Sequence, residues 1–99
     1  MSMLDKVKVA MRITHDKLDD EIRDNIISAL EEMERAGVPQ DIAKEPENYP
    51  LVAQAVKTYC QARGAIDQNQ AERYMESFNY QLDNLRKSSI YRESEADAE

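Results

Sequence analysis

The chain has 99 residues, with 20 acidic and 13 basic side chains, one histidine, one cysteine and no tryptophan. A chain of this length forms one domain, and its net charge of −7 opposes the cationic contacts that tight binding to nucleic acid requires. A single cysteine excludes an internal disulfide framework. No stretch is apolar enough to span a membrane or resembles a signal peptide, so we expect a soluble protein made in the cytoplasm.

Residues that favour helix dominate the composition. The chain has only two glycines and three prolines, and no alternating apolar run bounded by turn residues predicts a strand. The sequence therefore predicts an all-α fold. We expect a small bundle of about four helices, with a long loop between helices two and three. Residues 1–91 form the predicted helical domain, and residues 92–99 form a flexible acidic C-terminal tail.

The first two predicted helices cover residues 3–12 and 17–36, and each has apolar residues at helical spacing. Thr14 or Asp16 is expected to cap the second helix, and Gly37 to end it. The apolar stripe of the second helix consists of Leu18, Ile22, Ile26, Ala29, Leu30 and Met33.

A polar segment, residues 38–50, contains all three prolines and is predicted to be a loop. The third and fourth helices are predicted over residues 50–66 and 69–87. One side of the third helix is polar but has a single charge, which indicates a helix enclosed by its neighbours. The residues on that side are Gln54, Lys57, Thr58 and Gln61.

Few side chains in the sequence could carry out catalysis. His15 has no second histidine to complete a metal site, so we interpret it as a surface or capping residue. Cys60 lies in the middle of a predicted helix without an evident activating base, which favours a core or interface role. The sequence predicts no enzyme activity, no cofactor and no metal site.

The second helix has an acidic side with Asp20, Asp24 and Glu31. The alternating ligand spacing of a calcium loop is absent. The acidic side is therefore either an ordinary solvated surface or a face that contacts a basic partner or repels DNA.

Two apolar residues depart from the helical pattern. Ile27 is predicted to point away from the stripe of helix two, and Tyr80 away from the stripe of helix four. Single apolar residues on a surface are normal, but tyrosine is enriched in the cores of interfaces. A surface role and a subunit contact both remain open for these two residues.

Three blocks of sequence occur in a fixed order. The first is residues 4–13, with leucine, an acid, valine–lysine and then arginine–isoleucine. The second is residues 18–22, which begin the long helix that ends at Gly37. The third is residues 51–60, which lead to the Ser-Ser-Ile-Tyr sequence at 88–91. In this order and spacing the chain resembles the head–tail connector (adaptor) proteins of tailed bacteriophages, a resemblance that covers most of residues 4–91.

The resemblance implies an all-α protein of the virion that is assembled in the host cytoplasm and forms a homo-oligomeric ring. Such a ring docks beneath the portal protein ring, extends the DNA conduit and supports a stopper or tail-completion protein. DNA passes through without sequence-specific binding, and the family brings no catalytic residues. We expect residues 38–50 or 88–99 to become ordered on one of these partners.

Within this framework, the acidic face is expected to line the channel or to contact a basic neighbour. The expected subunit contacts are Ile27, Gln54, Thr58, Gln61 and Tyr80. The alternative function is that of a small acidic helical regulator of the antitoxin type, which would form a small dimer without affinity for a portal.

Overall fold

The structure is a computed structural model that describes residues 2–87. The regular secondary structure of these residues is entirely helical, which confirms the predicted all-α fold. In chain order the elements are α1 (Met3–Met11), α2 (Asp19–Ala36), α3 (Gln40–Lys44), a 3₁₀ helix (Pro46–Asn48), α4 (Pro50–Gly64) and α5 (Gln68–Lys87).

Helix α4 is the centre of the bundle. It contacts α1, α2, α5 and the 3₁₀ helix, and most of its length is buried, as its nearly uncharged polar side predicted. Alanines on α4 let neighbouring helices approach closely, whereas its larger side chains fill the spaces between them. The buried residues of α4 are Val52, Ala53, Ala55, Val56, Thr58, Tyr59, Cys60 and Ala62.

The apolar stripes of the long helices turn towards α4. Helix α2 buries Ile22, Ile26, Ala29 and Met33. On α5, Phe78 packs edge-on against Tyr59 of α4, with ring centroids 5.1 Å apart. Such aromatic pairs add about 0.5–1.5 kcal/mol to the stabilisation from burial alone.

Helix α1 is stabilised by a cap at its start and by an ion pair with α2. The Ser2 side chain accepts a hydrogen bond from the backbone amide of Asp5, which caps the first turn. Lys8 Nζ lies 2.8 Å from Asp19 Oδ1, and both side chains are largely buried. This ion pair joins α1 to the first turn of α2.

The sequence predicted the C-terminal end of α2 correctly but not the residue that caps its start. Gly37 has a φ of 106° and ends the helix, as expected. The backbone amide of Val38 then donates to the Met33 carbonyl. This hydrogen-bond pattern requires a left-handed backbone conformation at Gly37. The expected cap by Thr14 or Asp16 is wrong, because Leu18 occupies the N-cap without a side-chain hydrogen bond.

The segment between α2 and α4 is more structured than its sequence suggested. Residues 38–50 contain α3 and the 3₁₀ helix, and α3 contacts α2. Val38, Ile42 and Ala43 are each at most 5% exposed. A helix this short does not persist alone, so these buried contacts hold it in place. The acidic tail predicted at 92–99 lies outside the described residues.

Candidate interaction surfaces

The side of α2 that faces away from α4 combines acids with one apolar residue. Asp20, Asp24 and Glu31 are exposed, and Ile27 between them is 53% exposed. Intervals of three and four residues place all four side chains on one side of the helix. The prediction that Ile27 points away from the apolar stripe is confirmed.

Most of the acids on this side have no basic partner of their own. Asp20 Oδ1 lies 3.1 Å from Arg23 Nη1, but both side chains are exposed, so the pair adds little stability. Asp24, Glu31 and Glu34 form no ion pair within residues 2–87. Glu34 is also exposed. Sequence reasoning missed Glu34, although it lies seven residues after Ile27.

The outer side of α5 has an exposed tyrosine between two exposed basic residues. Tyr80 is 70% exposed, as predicted, and it lies midway between Arg73 and Lys87, which are also exposed. Lys87 Nζ lies 2.9 Å from Asp83 Oδ2, and this hydrogen bond and the lysine charge hold the pKa of Asp83 below its ordinary value. Arg73 forms no ion pair among the described residues.

The polar side of α4 is not a continuous surface. Thr58 is 4% exposed and its hydroxyl donates to the Gln54 carbonyl at 3.0 Å. Thr58, one of the expected subunit contacts, is therefore not accessible on the surface of the single chain, because neighbouring helices cover it.

Gln54 and Gln61 border separate spaces on either side of Thr58. Gln54 is exposed and lines a cavity of about 110 Å³ with Leu51 and Leu85. Gln61 is half-buried and lines a different cavity of about 280 Å³ with Tyr74. The two glutamines therefore do not form one patch.

The residues with catalytic potential occupy structural positions. Cys60 is 1% exposed, and burial raises the pKa of its thiol to about 12. A thiol that stays protonated at neutral pH is a poor nucleophile. His15 is exposed and its Nδ1 accepts a hydrogen bond from the Lys17 amide. Among the side chains that the structure describes, no group of His, Cys, Asp or Glu residues could hold a metal ion.

A family model described as phage connector protein matches residues 3–94. The chain belongs to the phage connector protein family. This match spans nearly the whole chain, and it confirms the resemblance carried by the three sequence blocks. Comparisons with curated proteins and with solved structures found no match.

Family membership gives the connector a structural role in the phage particle. Proteins of this family are structural rather than enzymatic, and they associate with other proteins of the head and tail. The exposed sides of α2 and α5 are therefore candidates for protein–protein contacts. No specific observation favours the alternative of a small regulator.

None of the helices within residues 2–87 has the length and apolar character that a membrane span needs.

Proposed function

We propose that the connector forms a closed homo-oligomeric ring at the head–tail interface of the virion. The ring docks under the portal protein ring, extends the DNA conduit and supports a stopper or tail-completion protein. The family match over residues 3–94 is the observation that carries this proposal. Assembly takes place in the host cytoplasm, before the particle is complete.

Two features of the surface support a ring. A closed ring of identical subunits needs two different patches on each protomer. The connector exposes Ile27 on α2 and Tyr80 on α5, and each is a large apolar side chain that the core of the single chain does not use. Gln54 on α4 is exposed as well and remains a candidate contact.

The charge of the connector suits a passage for DNA. Tight binding to DNA requires lysine and arginine side chains that displace condensed counterions, whereas this chain has a net charge of −7. The face formed by Asp20, Asp24 and Glu31 lines the channel or contacts a basic neighbour. If it lines the channel, it repels the phosphate backbone and favours passage of DNA without sequence-specific binding.

Phage particles assembled without the connector test this function. We expect such particles to package DNA, then to lose the genome and fail to join tails, and supplying the wild-type chain in trans should restore both. Particles that retained their genome and joined tails normally without the connector would contradict the proposal.

A further inference from the structure

One line of residues on the outer side of α2 matches a line on the outer side of α5 in spacing and opposes it in charge. On α2, three exposed residues at intervals of seven are an acid, an apolar residue and an acid: Asp20, Ile27 and Glu34. On α5 the corresponding residues are a base, an aromatic residue and a base: Arg73, Tyr80 and Lys87. Both lines have intervals of seven residues, which is close to two helical turns or ~10.5 Å of helix axis. We call them the acidic line and the basic line.

We propose that the acidic line of one connector packs along the basic line of a second copy, with Ile27 against Tyr80. The contact rests on the proposed ring and identifies the two patches that the ring requires. Aromatic side chains contribute strongly to the centres of protein interfaces, whereas charges serve better at the rim. The flanking residues provide that rim, because each acid of one line lies opposite a base of the other.

The contact must form between chains. Helices α2 and α5 both turn their apolar stripes towards α4, so the exposed Ile27 and Tyr80 point away from the interior of their own chain. Asp24 and Glu31 flank Ile27 and add to the negative charge around it. They also make it unfavourable for two copies of the acidic line to meet.

This charge pattern selects a head-to-tail arrangement. Two acidic lines repel each other, whereas an acidic line attracts a basic line, so the favoured contact joins different patches and can continue around a ring. The basic line is not purely basic, because Glu76 and Asp83 also lie on the exposed side of α5. Lys87 can exchange its partner Asp83 for an acid of the neighbouring chain.

The contact is small for an interface. Stable complexes bury about 1,600 Å² in total, or about 800 Å² on each partner, and one pair of short helix faces provides less than this. Free connectors are therefore expected to associate weakly, and docking on a portal would hold several copies at high local concentration.

A disulfide experiment tests the pairing directly. In a Cys60→Ala background, the chain carrying both Ile27→Cys and Tyr80→Cys is oxidised mildly with the portal protein of the same phage present. We expect a ladder of cross-linked multimers, because each chain then joins two neighbours. Each single substitution alone should give no cross-link, and Val9→Cys with Tyr80→Cys is the matched control, since Val9 is exposed on α1.

The outcomes distinguish failure of the proposed pairing from failure of the proposed ring. Absence of the ladder under conditions where the wild-type chain forms rings would overturn the pairing and leave the ring intact. Dimers formed by Ile27→Cys alone would also overturn it, since they would show a symmetric contact. If the wild-type chain formed no ring on the portal, both the proposed function and the pairing would fail.

Discussion

Two aromatic residues on α5, two positions apart, illustrate different roles for similar side chains. Phe78 is 2% exposed and packs on Tyr59, whereas Tyr80 is 70% exposed. Phe78→Ala is expected to reduce the free energy of unfolding by about 3–5 kcal/mol through the cavity it leaves. Tyr80→Ala should change it by less than about 0.5 kcal/mol. Urea unfolding at concentrations where the chain is monomeric measures both, and similar losses would contradict the assigned packing.

The end of α2 depends on a backbone conformation that glycine adopts without strain. Gly37 has a φ of 106°, and a Cβ at this position would meet no neighbouring atom. Gly37→Ala should therefore destabilise through backbone strain alone, by about 1–2 kcal/mol. Gly37→Asn should cost less, because asparagine tolerates left-handed conformations better. Equal melting temperatures for wild type and Gly37→Ala would show that this strain is absent.

Burial of the Cys60 thiol predicts a dependence of stability on alkaline pH. Its pKa rises from 9.0 to about 12 in the folded chain because burial disfavours the thiolate. The unfolded chain therefore releases this proton at lower pH, and the contribution to stability is complete below about pH 9 and is lost as the pH rises towards 12. Comparing the pH dependence of unfolding for wild type and Cys60→Ala isolates this effect from other titrating groups. Identical curves above pH 9 would contradict it.

Among the helices, the regular spacing of apolar residues predicted most of the fold. The stripes on α2 and α5 had the spacing of amphipathic helices, and Gly37 marked one end correctly. Residues 38–50 were predicted as a loop because prolines and charges dominate them. Their apolar residues Val38 and Ile42 are buried in the core of the folded chain, so tertiary packing, which local sequence does not reveal, decides the structure of this segment.

Tertiary packing also limited how well the surface residues could be predicted from the sequence. Ile27 and Tyr80 were identified because each breaks the pattern of its own helix. Thr58 was misplaced because its burial depends on how closely neighbouring helices cross α4, which local sequence does not reveal. Glu34, Arg73 and Lys87 were missed because their interest lies in the match between two helices, and no single helix shows that match.

The charges on the two helix faces give a prediction about assembly. Reversing the acidic line with Asp20→Lys and Glu34→Lys should weaken assembly roughly tenfold to a hundredfold, since each exposed pair contributes about 0.2–1 kcal/mol and reversal adds repulsion. Combining these changes with Arg73→Glu and Lys87→Glu in one chain should restore it. Sedimentation of the purified chain with portal rings measures the degree of assembly.

A control of equal charge change keeps the charge-reversal test specific. Asp16 and Glu47 are exposed and lie outside α2 and α5, so Asp16→Lys with Glu47→Lys should leave assembly near the wild-type level. Failure of the combined four-substitution variant to recover, while circular dichroism shows it folded, would argue against pairing of the two lines.

At the scale of the whole molecule, the bundle and its surfaces are consistent with a structural protein that binds other proteins. The helical bundle is built around α4, and the described residues with catalytic potential are either buried or serve in turns. The surfaces proposed for contact between copies are the outward sides of α2 and α5. In the proposed ring, each protomer contributes a segment of the wall, and the opening that the protomers enclose is the functional element.

Electron microscopy of the purified connector mixed with its portal protein is the sharpest test of the proposed ring. We expect an additional ring of density coaxial with the portal, with an open central channel, that is absent when the portal is imaged alone. Portal particles that looked the same with and without a saturating excess of the connector would contradict it.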